Sequence, residues 1–188
     1  MRSPAAARGQ EVRQRLLAAA VELIPERGWT AVSTRVLAER AGVTPSVVHY
    51  HFPSMPALLS EAAITAMRMI VSEVDGMTET AGSPRELVEG LLASVAQYDG
   101  ADPMSLLFIE TYLAATRDAG LRAQIEVIIT GVRERIGEWL AGQGIAESGE
   151  TAAVLLAAID GLLLHRGLGS APDPAALGIV LRRLIAEG

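Results

Sequence analysis

The stretch that decides the fold is STRVLAERAGVTPSVVHYHF, residues 33–52. Its pattern indicates two short helices joined at Gly42, because glycine readily adopts the backbone of a sharp turn. Ser33 is placed to cap the first helix and Thr44 to cap the second, where Pro45 takes the first helical position. The spacing therefore predicts a helix-turn-helix.

The two faces of this stretch differ in chemistry. The apolar side chains are expected to pack inward: Leu37, Ala38, Ala41, Val43, Val48 and Phe52. The other face carries hydroxyl, imidazole and phenol groups, which bond phosphate oxygens and base edges. We predict that DNA is contacted by this face and by the start of the first helix: Ser33, Thr34, Arg35, Thr44, Pro45, Ser46, Val47, His49, Tyr50 and His51.

Outward from this stretch, the chain shows helical periodicity and no strand-like alternation. Nine helices are predicted, at residues 10–27, 34–41, 45–51, 55–79, 86–98, 104–117, 121–140, 151–168 and 175–186. Glycine, proline and aspartate mark the breaks between them. The sequence predicts an all-α protein with a DNA-binding domain over residues 1–53 and a second helical domain over residues 54–188.

Composition narrows the class of protein. Half of the 188 residues are hydrophobic, which can supply a core, and there is no cysteine, which excludes disulfides and thiolate metal sites. The N-terminus lacks the apolar segment of a signal peptide, and no apolar run reaches the roughly 18 residues that span a bilayer. We expect a cytoplasmic protein with no cofactor, no metal and no membrane partner.

The net charge of −6 conceals an asymmetry. Residues 1–52 carry seven arginines and four acids, a balance of +3, whereas the remainder carries nine arginines and 18 acids, a balance of −9. A basic segment followed by an acidic one suits a protein whose N-terminal part meets phosphate. Arg2, Arg8 and Arg13 are expected to contribute to that contact.

The first 60 residues resemble the tetracycline-repressor (TetR) family. The signature runs from GWTAVST through LAERAGVTPSVVHYHFPSMPALL, and its places are taken by Gly28-Trp29, Ser33, Leu37-Ala38, Ala41-Gly42-Val43, His51-Phe52 and Leu58-Leu59. The segment IDGLLLHR, residues 159–166, is similar to a stretch of the family's eighth helix. His49 and Met55 depart from the pattern, since the family often has Tyr and Lys there as phosphate contacts.

The resemblance implies a function for the protein and a role for each group of helices. It implies a ligand-responsive transcriptional regulator, in most cases a repressor, that binds a palindromic double-stranded DNA operator as a homodimer and is released by a small-molecule effector. Helices four to seven are expected to form the effector chamber, with candidate contacts at Met67, Met104, Phe108, Tyr112, Ile128, Trp139 and Asp160. Helices eight and nine are expected to form the dimer interface: Leu155, Ile159, Leu162, Leu163, Arg166, Leu177, Val180, Leu181 and Leu184.

Alternatives to these assignments come from the same residues. Apolar residues of the proposed chamber are also what an ordinary core requires, and Asp160 also suits a helix end or an interface. An enzyme is not expected, because the chain has no nucleophilic cysteine, no phosphate-binding glycine loop and no HExxH motif. A metal site is not expected at His49 and His51 either, because the two side chains lie on nearly opposite faces of a helix and would not chelate one ion. The alternative function is a helical dimeric interaction protein that does not bind DNA.

Overall fold

The computed structural model describes residues 4–170 and 172–185, and these residues form helices without any strand. A short 3₁₀ helix covers Trp29–Ala31. Within the described residues the nine α-helices are α1 (Pro4–Arg27), α2 (Thr34–Ala41), α3 (Pro45–His51), α4 (Met55–Thr80), α5 (Pro84–Ala96), α6 (Pro103–Ala115), α7 (Ala119–Gly142), α8 (Ser148–Gly167) and α9 (Pro174–Leu184). The predicted all-α class is confirmed. Arg2 and the predicted end of the last helix at residue 186 lie outside the described residues.

The chain divides into two compact units. The N-terminal unit comprises Met1–Met67 and Leu106–Arg122, and the C-terminal unit comprises Arg68–Ser105 and Ala123–Gly188. The division falls within α4, α6 and α7, so each of these helices contributes residues to both units. The domain boundary proposed after residue 53 stays a prediction.

The core of the N-terminal unit begins with the apolar face of α1. Leu16, Leu23 and Ile24 are completely buried, and α1 packs against α2. The inward face predicted for the helix-turn-helix is confirmed for five of its six residues, which are buried: Leu37, Ala38, Ala41, Val48 and Phe52. Val43 is half-buried. This packing leaves the opposite side of α3 at the surface.

The turn between α2 and α3 depends on glycine. Gly42 has φ 65° and ψ 39°, the left-handed region that glycine adopts without the steric cost of a Cβ atom. The Val43 N–H donates to the Ala38 carbonyl at 2.9 Å, and the Gly42 N–H donates to the Glu39 carbonyl at 3.2 Å. These bonds satisfy carbonyls at the end of α2 and direct the chain into α3.

The caps explain where several helices begin. Ser33 accepts from the Val36 N–H as predicted, and Ser83 accepts from the Glu86 N–H, so that α5 begins two residues before the predicted start. Thr44 is the N-cap residue of α3 as predicted, but its hydroxyl bonds Ser46 at 2.8 Å and no helix N–H. Pro45, at the start of α3, has no N–H to satisfy.

In the C-terminal unit, α5 packs against both α8 and α9. The core consists of residues from these helices and α7, with Ile145 from the loop before α8 and Ile185 from the C-cap of α9: Leu87, Val88, Leu91, Val132, Ile136, Leu140, Ile145, Ala152, Leu155, Leu181 and Ile185. Burial of these side chains stabilises each helix through its apolar face, since isolated helices of this length are marginal in water.

The connection between α5 and α6 is fixed to the last turn of α8. Gly100 has φ 82°, and its backbone lies so close to that of Gly167 that a Cβ atom on Gly167 would come within 2.6 Å of the Gly100 oxygen. Arg166 donates to the carbonyls of Val95 at 2.7 Å and Tyr98 at 2.8 Å. Asp102 then caps α6 by accepting from the N–H groups of Met104 and Ser105.

Candidate nucleic-acid interface

The outer face of α3 presents a compact set of polar side chains. Thr44, Pro45, Ser46, His49 and Tyr50 are exposed, and Tyr50 is 85% exposed. Val47 and His51 are half-buried. Because Val48 and Phe52 hold the opposite face of α3 in the core, the exposed groups are presented outward on a fixed backbone. This arrangement suits a helix that reads the major groove, as predicted for α3.

Two contacts organise this surface locally. The Thr44 and Ser46 hydroxyls lie 2.8 Å apart, and the rings of Tyr50 and His51 meet edge to face with centroids 5.1 Å apart. Ser33, Thr34 and Arg35 begin α2, with Ser33 and Arg35 exposed and Thr34 half-buried. All ten residues predicted to contact DNA therefore lie on two adjoining helices or their caps, and their roles stay predictions.

Arg40, near the end of α2, is engaged within the protein. Its guanidinium bonds Glu22 at 3.0 Å and Glu26 at 2.7 Å, both on α1. The hydrogen bond from Arg40 lowers the pKa of Glu26. Two acids thus surround this cation, which makes it a weak candidate for a phosphate contact. Arg35 remains an exposed cation beside the α3 face.

Arg13, which was predicted to contact phosphate, is paired with groups of the protein itself. Its guanidinium bonds both carboxylate oxygens of Glu61, at 2.6 and 2.5 Å, and donates to the His51 carbonyl at 3.3 Å. Its Cζ atom lies 4.2 Å from the centroid of the Phe52 ring. The expectation that Arg13 contacts phosphate is therefore not supported, since its charge is already paired. The sequence could not reveal this pair, because its members are 48 residues apart.

The candidate effector residues are distributed over both units. Met67, Phe108 and Tyr112 belong to the N-terminal unit, and Met104, Ile128, Trp139 and Asp160 belong to the C-terminal unit. Met67 is buried, and Trp139 packs against the core of the C-terminal unit. Asp160 is exposed in the single chain, yet desolvation raises its pKa to about 6. Their role in binding an effector stays a prediction.

Part of the predicted dimer surface belongs to the chain's own interior. Leu155, Leu162 and Leu181 are at most 3% exposed, and Arg166 bonds two carbonyls of its own chain. The three buried leucines cannot reach a second copy and the guanidinium of the half-buried Arg166 is already engaged, so we exclude these four from the proposed surface. Ile159, Leu163 and Leu177 are half-buried, whereas Val180 and Leu184 are exposed.

Other apolar side chains of α8 and α9 are exposed and were missed by the sequence reasoning: Val154, Leu164, Leu168 and Ile179. Val154, Ala157, Gly161 and Leu164 lie on one face of α8 at spacings of three and four residues, and the C-cap residue Leu168 continues this spacing. Because α8 is apolar on nearly every side, its periodicity could not tell the face that meets the core from the face at the surface.

No group of three or more histidines, aspartates or glutamates that could hold a metal ion occurs among the described residues. His49 and His51 belong to the α3 face, and His165 lies exposed near the end of α8.

Sequence profiles of known families match most of the chain. Residues 16–62 match the profile of bacterial regulatory proteins of the tetR family. Residues 82–187 match the tetracyclin repressor-like C-terminal domain, which is more than half of the chain. The first match contains the whole helix-turn-helix, and the second contains the helices from α5 to α9.

Individual relatives agree with these profiles. The HTH-type transcriptional regulator BetI of Rhizobium meliloti (strain 1021) is 28% identical over 171 residues, covering 90% of this chain and 84% of the relative. The transcriptional regulator SCO7518 from Streptomyces coelicolor A3(2) is similar in structure, with a TM-score of 0.78 and 30% identity over 94% of this chain and 99% of that one.

A transcriptional regulator from Saccharomonospora viridis, solved in complex with choline, has the same fold, with a TM-score of 0.75 and 22% identity over 94% of this chain and 96% of that one. These relatives are named as regulators of transcription, which agrees with the prediction that the chain is not an enzyme. The chain belongs to the tetR family of bacterial regulatory proteins, and it is a helix-turn-helix DNA-binding regulator of transcription.

Proposed function

We propose that the protein is a dimeric repressor that binds a palindromic operator in double-stranded DNA and is released by a small-molecule effector. The observation that carries the proposal is the exposed polar face of α3 opposite the buried Val48 and Phe52. A rigid helix with an outward row of hydroxyl, imidazole and phenol groups suits recognition of base edges and phosphates. A regulator of this kind acts on chromosomal DNA, so we expect it in the cytoplasm.

The dimer is supported by the exposed apolar surface of α8 and α9. Contrary to the expectation that no apolar segment has the length to span a bilayer, the 20-residue α8 is long and apolar enough to do so by length and composition, yet few of its residues are buried within the chain. A second copy of the same surface would remove these side chains from water. We therefore assign the interface to the exposed residues: Val154, Ala157, Leu164, Leu168, Ile179, Val180 and Leu184.

Two-fold symmetry then determines the kind of operator. Two α3 helices related by a two-fold axis read two inverted half-sites, separated by about 34–36 Å or a multiple of it along the duplex. A single copy would contact only one half-site and would bind less tightly. The dimer and the palindrome are thus two parts of one proposal.

Binding of a small-molecule effector is supported by the relative that was solved in complex with choline. At 22% identity, the likeness to that relative is one of fold. We infer that the helical C-terminal part binds a small molecule, with the seven predicted residues as its first candidates for substitution. Release of DNA then requires that the effector binds more tightly to a conformer with low DNA affinity. Such coupling is typically about 1–3 kcal/mol, and it cannot exceed the difference in effector affinity between the two conformers.

Selection of bound duplexes from a random-sequence pool tests the proposal directly. Enrichment of a palindrome whose half-sites are about one helical turn apart supports a dimeric operator binder. Enrichment of a single half-site overturns the dimeric arrangement. If no sequence is enriched by the folded protein, operator binding is overturned, and the alternative of a helical interaction protein without DNA binding is favoured.

A further inference from the structure

The end of α3 is held by one side chain from α1. The last carbonyls of a helix have no partner within the helix, and a cation beside them is favoured by the helix dipole. Arg13 supplies this cation to the His51 carbonyl, while its guanidinium lies over the ring of Phe52, the residue that ends α3. Arg13 therefore contacts the turn of α3 that carries Tyr50.

Glu61 determines how the guanidinium is oriented. Nη2 of Arg13 donates to both Glu61 oxygens while Nη1 donates to the His51 carbonyl, so the planar guanidinium is held between the carboxylate and the end of α3. The side chains of Arg13 and Glu61 are 30% and 41% exposed, so solvent screens their attraction and the pair adds little to stability as such. What the pair fixes is the position of the end of α3 relative to α1 and α4.

We propose that Arg13 and Glu61 act together as positioning residues for DNA recognition: they hold the last turn of α3 so that Tyr50 and its neighbours meet the operator. This inference rests on the proposed function, because it assigns to the pair a part in the specificity of the same α3 face. It differs from the expectation that Arg13 contacts phosphate, since here the guanidinium acts through the His51 carbonyl and the Phe52 ring.

The two roles for Arg13 predict opposite effects of one substitution. Glu61→Gln removes a negative charge from a unit that meets a polyanion, so it would strengthen DNA binding if Arg13 were a phosphate contact partly neutralised by Glu61. If Glu61 positions Arg13, the same substitution loosens the guanidinium and weakens operator binding. Arg13→Lys keeps the charge but loses the planar donor pair, so it separates charge from geometry.

The test uses the full-length protein and the duplex that it selects from a random pool, with a scrambled duplex of equal length beside it. We expect Glu61→Gln and Arg13→Lys each to weaken binding of the selected duplex by roughly tenfold and to leave binding of the scrambled duplex nearly unchanged. The slope of affinity against salt concentration should stay as in the parent. Loss of one phosphate contact would instead lower that slope by about 0.9.

Glu39→Gln is the matched control, because Glu39 is an exposed acid of α2 and the same charge is removed there. It should bind the selected duplex as tightly as the parent or more tightly. If Glu61→Gln behaves like Glu39→Gln, or if Arg13→Lys binds like the parent, the positioning role is overturned while the proposed function stands. If the parent selects no duplex, both are overturned. Melting curves of each variant, with binding measured well below the transition, separate this effect from unfolding.

Discussion

The backbone N–H of Trp29 donates to the Glu110 carboxylate at 2.7 Å, although the two residues are 81 positions apart. Trp29 begins the 3₁₀ helix that leads into α2, and Glu110 lies in the middle of α6. Both residues belong to the N-terminal unit. A side chain of α6 thus satisfies a donor that would otherwise be unpaired at the entry to the helix-turn-helix.

Glu110→Ala is expected to lower the free energy of unfolding by about 1–3 kcal/mol, because it leaves the half-buried Trp29 N–H without its charged acceptor. Glu110→Gln keeps an oxygen in the same place and should recover most of the loss. Hydrogen exchange followed at the Trp29 amide measures the bond directly. Unchanged protection of that amide in Glu110→Ala would show that the bond contributes nothing.

Tyr50→Ala is expected to weaken binding of the selected operator by roughly tenfold or more, since the proposed recognition face loses a ring and a hydroxyl that can contact bases and phosphate. Its stability should stay within about 0.5 kcal/mol of the parent, because the side chain is 85% exposed. Tyr50→Phe distinguishes the hydroxyl from the ring. Titration of the duplex with each variant measures the affinity, and melting curves measure the stability. If Tyr50→Ala binds the operator as tightly as the parent, Tyr50 does not belong to the recognition face.

Local patterns were enough to predict the helix-turn-helix. The α2 and α3 bounds follow from a serine cap, a glycine turn and a proline, which act within a few residues of each other. The 3₁₀ helix at Trp29–Ala31 was missed, because its stabilising partner is Glu110, which is far away in sequence. The same limit applies to Arg13, whose partner Glu61 no periodicity could indicate.

The dimer surface was predicted less well, for a reason that lies in α8 itself. Its apolar residues continue around the helix, so burial depends on which side faces α5. Leu155 and Leu162 face the core, whereas Leu164 and Leu168 face the surface. Only the packing of the C-terminal unit distinguishes these two sets.

Leu164→Glu and Val180→Glu are each expected to convert the proposed dimer into monomers at micromolar concentration. Each places a charge on the exposed apolar surface of α8 or α9, and two-fold symmetry introduces it twice. Val127→Glu is the matched control, because Val127 is 73% exposed on α7, outside this surface. Sedimentation velocity gives the oligomeric state. A dimer that survives both substitutions, or one that Val127→Glu dissociates, would contradict the assignment.

Asp160→Asn is expected to stabilise the protein at pH 7.5 and to have little effect at pH 4. The pKa of Asp160 is raised to about 6 by desolvation, above the value of about 3.9 expected in the unfolded chain. Folding therefore favours the protonated carboxyl of Asp160. The stability that this group contributes is fully present below about pH 3.9 and is lost as pH rises through about 6, where the group ionises in the folded protein. Because the side chain keeps contact with solvent, the effect should be smaller than the full pKa shift implies.

The comparison for Asp160 is the difference in unfolding free energy between Asp160→Asn and the parent, measured from pH 4 to pH 7.5. Taking the difference cancels the opposite contribution of acids such as Glu26, whose pKa is lowered. A difference that does not change with pH would show that Asp160 has an ordinary pKa in the folded protein.

Gly167→Ala is expected to lower the free energy of unfolding by about 1–3 kcal/mol, although alanine is the better helix former. The added Cβ atom would lie 2.6 Å from the Gly100 oxygen, and backbone on both sides must move to accept it. Gly76→Ala in α4 is the matched control, since nothing lies within 4 Å of its Cβ position; it should stabilise the protein by about 0.5–1 kcal/mol. Urea unfolding of the two variants measures both values. Arg166 also binds this connection to α8, through the carbonyls of Val95 and Tyr98. If Gly167→Ala stabilised the protein as much as Gly76→Ala, the α5–α6 connection would not be packed against α8 in solution.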